Sequence, residues 1–506
     1  MCTYAAIVPI DTVQTTQIAT TTSGLSRTPS PIEVYGTLNV AGADAIFISS
    51  ESTQPVANIL NTGSITASTA GFFGIHNDGT ILTLNNAQGG NSSSASTRAL
   101  TYTGSMPINY NIIINSATHY GQLLVERDVI TVPRDDSHTT VFGIYGTPFI
   151  TVRNYASVIG GAGYSYTSSS GTYDNMTWSL VANGIDNYDL TFTGVSLMGT
   201  QQSLVNTAAA LAPVYAMQNA TLVNSFTYDC TLFDVNNICI SVGGRNTQVS
   251  AANGLNNTSA LLIAAYRPHP NYRIGAYADQ NLSVNNAGST VNLSNNTPLI
   301  GVFGAWTQNQ EGTGAEVRVS AAYGQKDATI NRQVVGLSEP GSGSSTLNSQ
   351  GAQLTAKYGF AVTDKAIVSP YVGVRYTQNN MGGYTEGASS TVTAPLTYSA
   401  LNTNATTALA GVGASYKVIP TVTTFASAGV ETDTNTSNGT YSATGINGLT
   451  PVNFNPNPVK TRPTATLGAF YDVAKNQRLG LTGIYRQEPY QAVSTTTVMA
   501  TYTIGL

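Results

Sequence analysis

The chain has 506 residues, only 9% of them charged, and a net charge of −5. Soluble proteins average roughly 25% charged residues, yet no stretch here approaches the roughly 18 apolar residues of a membrane-spanning helix. The most apolar runs, "ALLIAAY" (260–266) and "LIGVFGAW" (299–306), are strand-length. The acidic balance gives no reason to expect nucleic-acid binding, and the 49 Gly and 28 Tyr among abundant Thr, Ser and Asn point to a predominantly β protein.

The sequence opens "MCTYAAIVPIDTV", with no basic region ahead of an apolar one, so an exported protein of this kind is expected to have its signal peptide outside this sequence. Cys2 lies too close to Met1 to belong to a lipobox. Residues 1–178 read as short strands separated by Gly and Asn. Three stretches resemble one another: "VYGTLNVAG" (34–42), "ILNTGSITAS" (59–68) and "IHNDGTILTLNN" (75–86). The last two share Asn-x-Gly-[Ser/Thr]-Ile and place Gly63 and Gly79 sixteen residues apart, each at a turn before the next rung of a β-solenoid. The spacing becomes irregular after residue 90, which predicts a short or imperfect solenoid.

Catalytic signatures are missing from this region. The chain has no G-x-S-x-G and no H-E-x-x-H, and its four histidines, His76, His119, His138 and His269, are isolated in sequence. "RDDSH" (134–138) sets two Asp beside a Ser and a His, but neighbours in an extended chain point to opposite sides, so a solvated turn is the plainer reading. No catalytic, cofactor-binding or metal residue is assigned, no cofactor is expected, and the chain is read as a non-enzyme. "MTWSLVANGIDNYDLTFTGVSL" (176–197), with Trp178 and Tyr188, reads as a hydrophobic junction, assigned to 179–198.

Residues 199–223 form the clearest helix candidate. They are rich in Ala, Leu, Gln and Met, with Thr200 or Ser203 as N-cap and a kink at Pro213. Gln201, Gln202, Asn206, Gln218 and Asn219 make the helix too polar for lipid. Just beyond it, Cys230 and Cys239 are spaced either for a small disulfide loop or for two free buried thiols.

From residue 238 the pattern changes to strict alternation. Twelve strands are predicted at 238–247, 258–267, 272–282, 297–308, 314–326, 351–362, 366–378, 406–417, 420–432, 462–474, 477–487 and 493–506, lengths that cross a bilayer at a tilt. Long and short connections alternate, except that the final one, "EPYQA" (488–492), is short. Charges keep to one register. In 314–326, Glu316, Arg318 and Ser320 alternate with Val317, Val319, Ala321 and Tyr323. A charge facing lipid near the midplane costs roughly 2–4 kcal/mol. Residues 224–506 are therefore read as an antiparallel transmembrane β-barrel, with Arg245, Arg273, Glu316, Arg318, Lys357, Arg375 and Arg486 lining the lumen. Tyr376, Tyr416, Tyr471 and Tyr485 fall near strand ends, where aromatic girdles belong. A soluble β-sandwich would share the alternation but not the sorted loops.

A repetitive β-rich region, a helix and a barrel of about twelve strands together resemble the autotransporter (type V secretion) family. The resemblance covers essentially the whole chain and includes "YNIIINSATHYGQLLV" (110–125), "SLVNTAAAL" (203–211) and "LTGIYRQEP" (481–489). It implies an all-β fold, a passenger and a C-terminal 12-stranded barrel with a lumenal helix. It also implies outer-membrane lipid and the barrel-assembly machinery as partners, a monomer, and a host or surface ligand for the passenger. In some family members the lumen performs self-cleavage, which directs attention to Asn219, Asn236 and Asn237. The junction resembles segments that nucleate passenger folding. The chain departs from the family's usual aromatic ending at Leu506. The favoured reading is an outer-membrane anchor that exports a non-enzymatic, adhesin-like passenger. The alternatives are a secreted enzyme with an unrecognised site and a porin-like channel.

Overall fold

The computed structural model describes residues 11–13, 17–19, 25–26, 32–50, 55–90, 98–126, 140–146, 150–161, 169–184, 187–250, 254–285, 290–294 and 297–506. "RDDSH" (134–138) and Cys2 lie outside the described residues. The chain divides into two compact units, Met1–Thr200 with Val334–Ser338, and Gln201–Gln333 with Glu339–Leu506.

The first unit is a β-solenoid of parallel strands. Ile32 pairs with Ile59, Ile59 with Leu84, Leu84 with Tyr110 and Tyr110 with Phe142, a fully buried ladder along one face. Ile46, Ile75, Tyr102 and Val125 form a second. A rung that cannot bury its own apolar side completes its core only against its neighbours. Buried amides stack in the same way. The Asn61 amide donates to Asn86 Oδ1 and Gln88 Oε1, both at 3.0 Å, so polar groups that would be costly if left unpaired satisfy one another.

Two sequence expectations need correcting. Gly63 and Gly79 belong to the same rung, so sixteen residues is not the repeat. Stacked side chains lie 27 residues apart, as at Asn39/Thr66 and Asn58/Asn85, or 26, as at Asn85/Asn111. The partner of Gly63 is Gly36, whose carbonyl accepts from Ser64 N at 2.8 Å. The solenoid also runs well past residue 90, to the strand Asn154–Gly160. Rungs of unequal length hide this in the sequence, because extra residues enter loops and leave the ladders intact.

The solenoid ends in antiparallel strands Ser170–Tyr173, Met176–Ala182 and Tyr188–Thr193. Asp174 and Asn175, both at positive φ, make the two-residue hairpin turn that suits twisted strands. Trp178 covers the end of the core, with its ring 5.4 Å from Phe142.

In the second unit, among the described residues, twelve antiparallel strands close into a barrel: β1 (Ile238–Val249), β2 (Asn256–His269), β3 (Tyr272–Asn285), β4 (Leu299–Thr307), β5 (Gly314–Arg332), β6 (Gly341–Thr363), β7 (Ala366–Met381), β8 (Leu401–Ile419), β9 (Val422–Asn438), β10 (Thr461–Ala474), β11 (Gln477–Gln487) and β12 (Ser494–Gly505). Each pairs with its sequence neighbours, and β12 returns to β1, Ile240 opposite Ile504. The outward register is apolar and exposed, as at Leu262, Ile300, Val302, Leu354, Val372 and Leu481. An unbroken apolar belt of this extent belongs in lipid. Residues 341–350, expected in a loop, instead extend β6 to 23 residues, well beyond the need of a bilayer.

The close approach at Gly63 yields a test. A Cβ there would stand 1.9 Å from the Gly36 carbonyl oxygen. Gly63→Val is expected to cost roughly 1–3 kcal/mol and to speed proteolysis within residues 32–160 while the barrel's heat-modifiable migration stays unchanged. Unaltered proteolysis would count against the rung pairing.

Candidate functional site in the barrel interior

The helix α1 (Leu197–Ser225) is the element around which the interior is organised. Its N-cap is Ser196, not Thr200 or Ser203: Ser196 Oγ accepts from Gly199 N at 2.8 Å, and Asp174 Oδ1 accepts from Met198 N at 2.7 Å. The hydroxyls expected to cap have other partners. Thr200 donates to the Ser196 carbonyl and Ser203 to the Gln333 carbonyl. The helix runs unbroken through Pro213.

From Val214 to Phe226 every residue is buried except the half-buried Asn219. A helix lying on a surface would keep a wet stripe; this one is walled on all sides. Its partners circle the barrel. Gln201 exchanges hydrogen bonds with Thr450, Nε2 to O at 3.1 Å and N to Oε1 at 2.8 Å. Tyr215 OH donates to the Leu401 carbonyl at 2.8 Å, and Asn219 donates to Glu488 at 3.0 Å. Asn224 donates to Thr497 at 2.9 Å, and just past the helix Tyr228 OH donates to Asp279 at 2.9 Å. The segment then turns to enter β1, and Cys230 and Cys239 are joined in a disulfide.

The seven charged residues singled out from the sequence fall into three groups. Arg245 is fully buried and meets Asp279 in a fork, Nε to Oδ2 at 2.8 Å and Nη2 to Oδ1 at 3.0 Å, with further bonds to Thr247, Asn257 and Ser259. Arg273 reaches Asp229 at 2.7 Å and Glu316 at 3.4 Å, Lys357 reaches Glu316 at 3.2 Å, and Arg318 donates to the carbonyls of Thr227 and Tyr228. Arg375 and Arg486 converge on Glu431.

Glu431, Asp433 and Arg462 were not singled out, although Glu431 stands in a predicted strand and the register rule reaches it. Arg462 and Asp433 form a second buried fork, at 2.6 and 2.7 Å. Asp229 and Glu488 lie in connections, where no periodicity marks them.

Of the asparagines considered for self-cleavage, Asn219 bonds Glu488, Asn236 N bonds the terminal Leu506 carbonyl, and Asn237 sits at positive φ with its side chain accepting from Arg267. They are not brought together at one centre. His76 lies between Asp44 at 2.8 Å and Asp78 at 3.2 Å, His119 beside Asn115, and His269 beside Tyr272. His138 lies outside the described residues. Among the described residues, no group of three His, Cys, Asp or Glu could hold a metal ion.

Below the helix end is a cavity of about 430 Å³ lined by Phe226, Arg318, Lys357, Tyr371, Glu431 and Arg486 and reaching Glu311 and Gly312 in a short connection. At the opposite end the long connections are built and tied together. Arg332 forks onto Glu386 at 2.8 and 2.9 Å, and Tyr384, Tyr398 and Tyr441 stack with ring centroids 4.4 and 5.2 Å apart. Burial pushes the Tyr398 hydroxyl well above its ordinary value, so it stays protonated and donates to Glu386 at 2.8 Å. The barrel is thus filled beside the long loops and hollow beside the short turns.

Residues 241–486 match the family described as Autotransporter beta-domain. Similar solved structures include the translocator domain of the autotransporter NalP from Neisseria meningitidis, with 16% identity, a TM-score of 0.46, and coverage of 60% of this chain and 99% of that one. The β domain of the Bordetella autotransporter BrkA has 12% identity, a TM-score of 0.37, and coverage of 54% and 100%. The transport unit of AIDA-I from Escherichia coli has 13% identity, a TM-score of 0.33, and coverage of 58% and 97%. No curated protein sequence matches the chain.

The Arg245–Asp279 fork is a direct test of the interior. Asp279→Leu strands a buried guanidinium and is expected to cost roughly 3–5 kcal/mol, read as a lower temperature of barrel unfolding on gels. Arg245→Met with Asp279→Leu is expected to recover most of that loss. A single variant as stable as the parent would show that Arg245 is hydrated, contrary to its burial.

Proposed function

We propose, for a chain whose residues 241–486 belong to the autotransporter beta-domain family and whose barrel sits in the bacterial outer membrane, that the barrel anchors and exports a short, surface-exposed, adhesin-like passenger without enzymatic activity. In this reading residues 1–178 are the passenger, 179–198 the junction, 199–223 the linker and 224–506 the barrel. The lumenal charges serve structure, and the barrel works as a monomer with the barrel-assembly machinery as its partner during insertion.

The observation that carries the reading is the path of the linker. Gln201 sits beside Thr450 in a long connection, while Ile238 enters β1 opposite Tyr266, next to a short turn. Long loops of such barrels lie outside the cell and short turns in the periplasm. This path supports a reading in which the linker crosses the membrane inside its own barrel and the residues before it are exported. The passenger's apolar ladders are buried within the solenoid and the Asn61, Asn86 and Gln88 amides satisfy one another there, which supports a scaffold whose outer surface does the work.

Protease shaving of intact cells, followed by mass spectrometry, is expected to release peptides from residues 32–182 and none from the barrel strands. Intact cells are expected to bind surfaces without hydrolysing generic ester or peptide substrates. Hydrolysis that tracks with the passenger would replace the adhesin reading with an enzymatic one. In planar bilayers the intact protein is expected to conduct little, and deletion of Gln201–Ser225 is expected to open a steady pore. Equal conductance in both would favour a channel.

A further inference from the structure

The strands β5 to β8 continue past the lipid belt, and their outer face changes chemistry at one level. On β6 the outward residues Ala352, Leu354, Ala356, Tyr358, Phe360 and Val362 are apolar, a run of the length that crosses a bilayer. Directly above it the same face carries Gln350 and Asn348. On β7 Val372, Val374 and Tyr376 give way to Gln378 and Asn380. On β8 Ala410 and Ala408 give way, past Thr406, to Asn404 and Asn402.

The register aligns these amides across the wall. One row runs Gln350, Gln378, Asn404, between Tyr323 and Ser437. The next runs Gln325, Asn348, Asn380, Asn402. Neighbouring strands lie about 4.8 Å apart and alternate residues about 7 Å apart along a strand, so the four-strand row is roughly 14 Å wide. Gln350 Nε2 donates to Gln378 Oε1 at 2.9 Å, and Tyr323 OH donates to Asn348 Oδ1 at 3.0 Å, which fixes part of the grid.

We propose that this amide grid is a docking surface for the neutral sugar units of the outer leaflet's glycolipid. It lies on the same strands and the same face as the lipid belt, at the long-loop end, so whatever rims the acyl layer there continues upward over it. The two rows contain no Lys or Arg, and the next row adds Asp327, a distribution that disfavours anionic phosphate. A carboxamide both donates and accepts, which matches hydroxyl-rich, uncharged rings, and although Asn380 Oδ1 is buried, Gln350 and Asn402 are exposed. The inference rests on the outer-membrane placement of the barrel and not on the passenger's role.

The test uses the full chain in three kinds of vesicle: phospholipid alone, phospholipid with glycolipid stripped of its outer sugars, and phospholipid with glycolipid bearing a core oligosaccharide. Ligand binding stabilises the folded state. The midpoint of heat-modifiable migration is therefore expected to rise by about 3 °C or more with the sugar-bearing lipid relative to the stripped lipid. The triple variant Gln350→Ala, Gln378→Ala, Asn404→Ala is expected to lose that rise while matching the parent in stripped vesicles. A parent indifferent to the sugars, or a triple variant that keeps the rise, overturns the proposal. So does oxidative cross-linking between copies carrying Asn380→Cys, which would assign the face to a second copy of this chain.

Discussion

The pairing of β1 with β12, Cys239 opposite Gly505 through Val249 opposite Thr495, is the constraint on which the rest of the barrel depends. In hydrocarbon an unpaired strand edge leaves a row of amides and carbonyls without water, at several kcal/mol per group. Closure removes the edge and at the same time creates an inside. Only then does the two-register alternation acquire two different solvents, lipid for Leu354 and Val372, and an enclosed polar space for Arg375 and Glu431. The terminal Leu506 takes part, donating to Ile238 and accepting from Asn236, so the last residue of the chain is bound to the start of the barrel.

An enclosed polar space must be filled or hydrated, and the two halves of this interior differ in which happens. Beside the long loops α1 supplies the filling. Its composition suits that place: Leu222 lies in one buried cluster with Leu261 and Ile263 of the wall, Tyr215 donates to the Leu401 carbonyl, and Asn219 and Asn224 donate to Glu488 and Thr497. Each such bond contributes only about 0.5–1.5 kcal/mol. Several of them, spread over different strands, hold the helix in a register that a purely apolar rod would leave loose.

Most of the barrel was legible because its alternation is enforced from both sides. In 314–326 Val317, Val319 and Tyr323 are exposed in one register, while in the other Glu316 meets Arg273 and Lys357 and Arg318 donates to the Thr227 carbonyl. The reading stopped short in 341–350 for a physical reason: above the lipid the outward residues become Ser, Thr and Asn, so the two faces no longer differ in polarity although the strand goes on. The solenoid was legible in kind but not in pitch. Its period is carried by buried ladders such as Ile32, Ile59 and Leu84, whereas the eye is caught by Asn-x-Gly turns that occur twice within one rung. The helix cap was missed because Ser196 acts together with Asp174, which the hairpin turn brings in from 22 residues upstream. The inward carboxylates on connections, Asp229 and Glu488, carry no periodic signal at all.

The pairing of the interior charges follows from their distance to water. Arg245 with Asp279, and Arg462 with Asp433, are almost completely dry, and each is a two-pronged fork whose geometry recovers part of the large desolvation cost. Lys357 stands over the open cavity with 42% of its side chain exposed, and a single contact of 3.2 Å to Glu316 suffices because water supplies the rest. Between these extremes Arg375 and Arg486 share one carboxylate, Glu431, at the level where the cavity meets the helix end. The strictness of pairing therefore falls along the barrel axis from the plugged half to the hollow half, as expected if the helix, rather than the wall, determines where water stops.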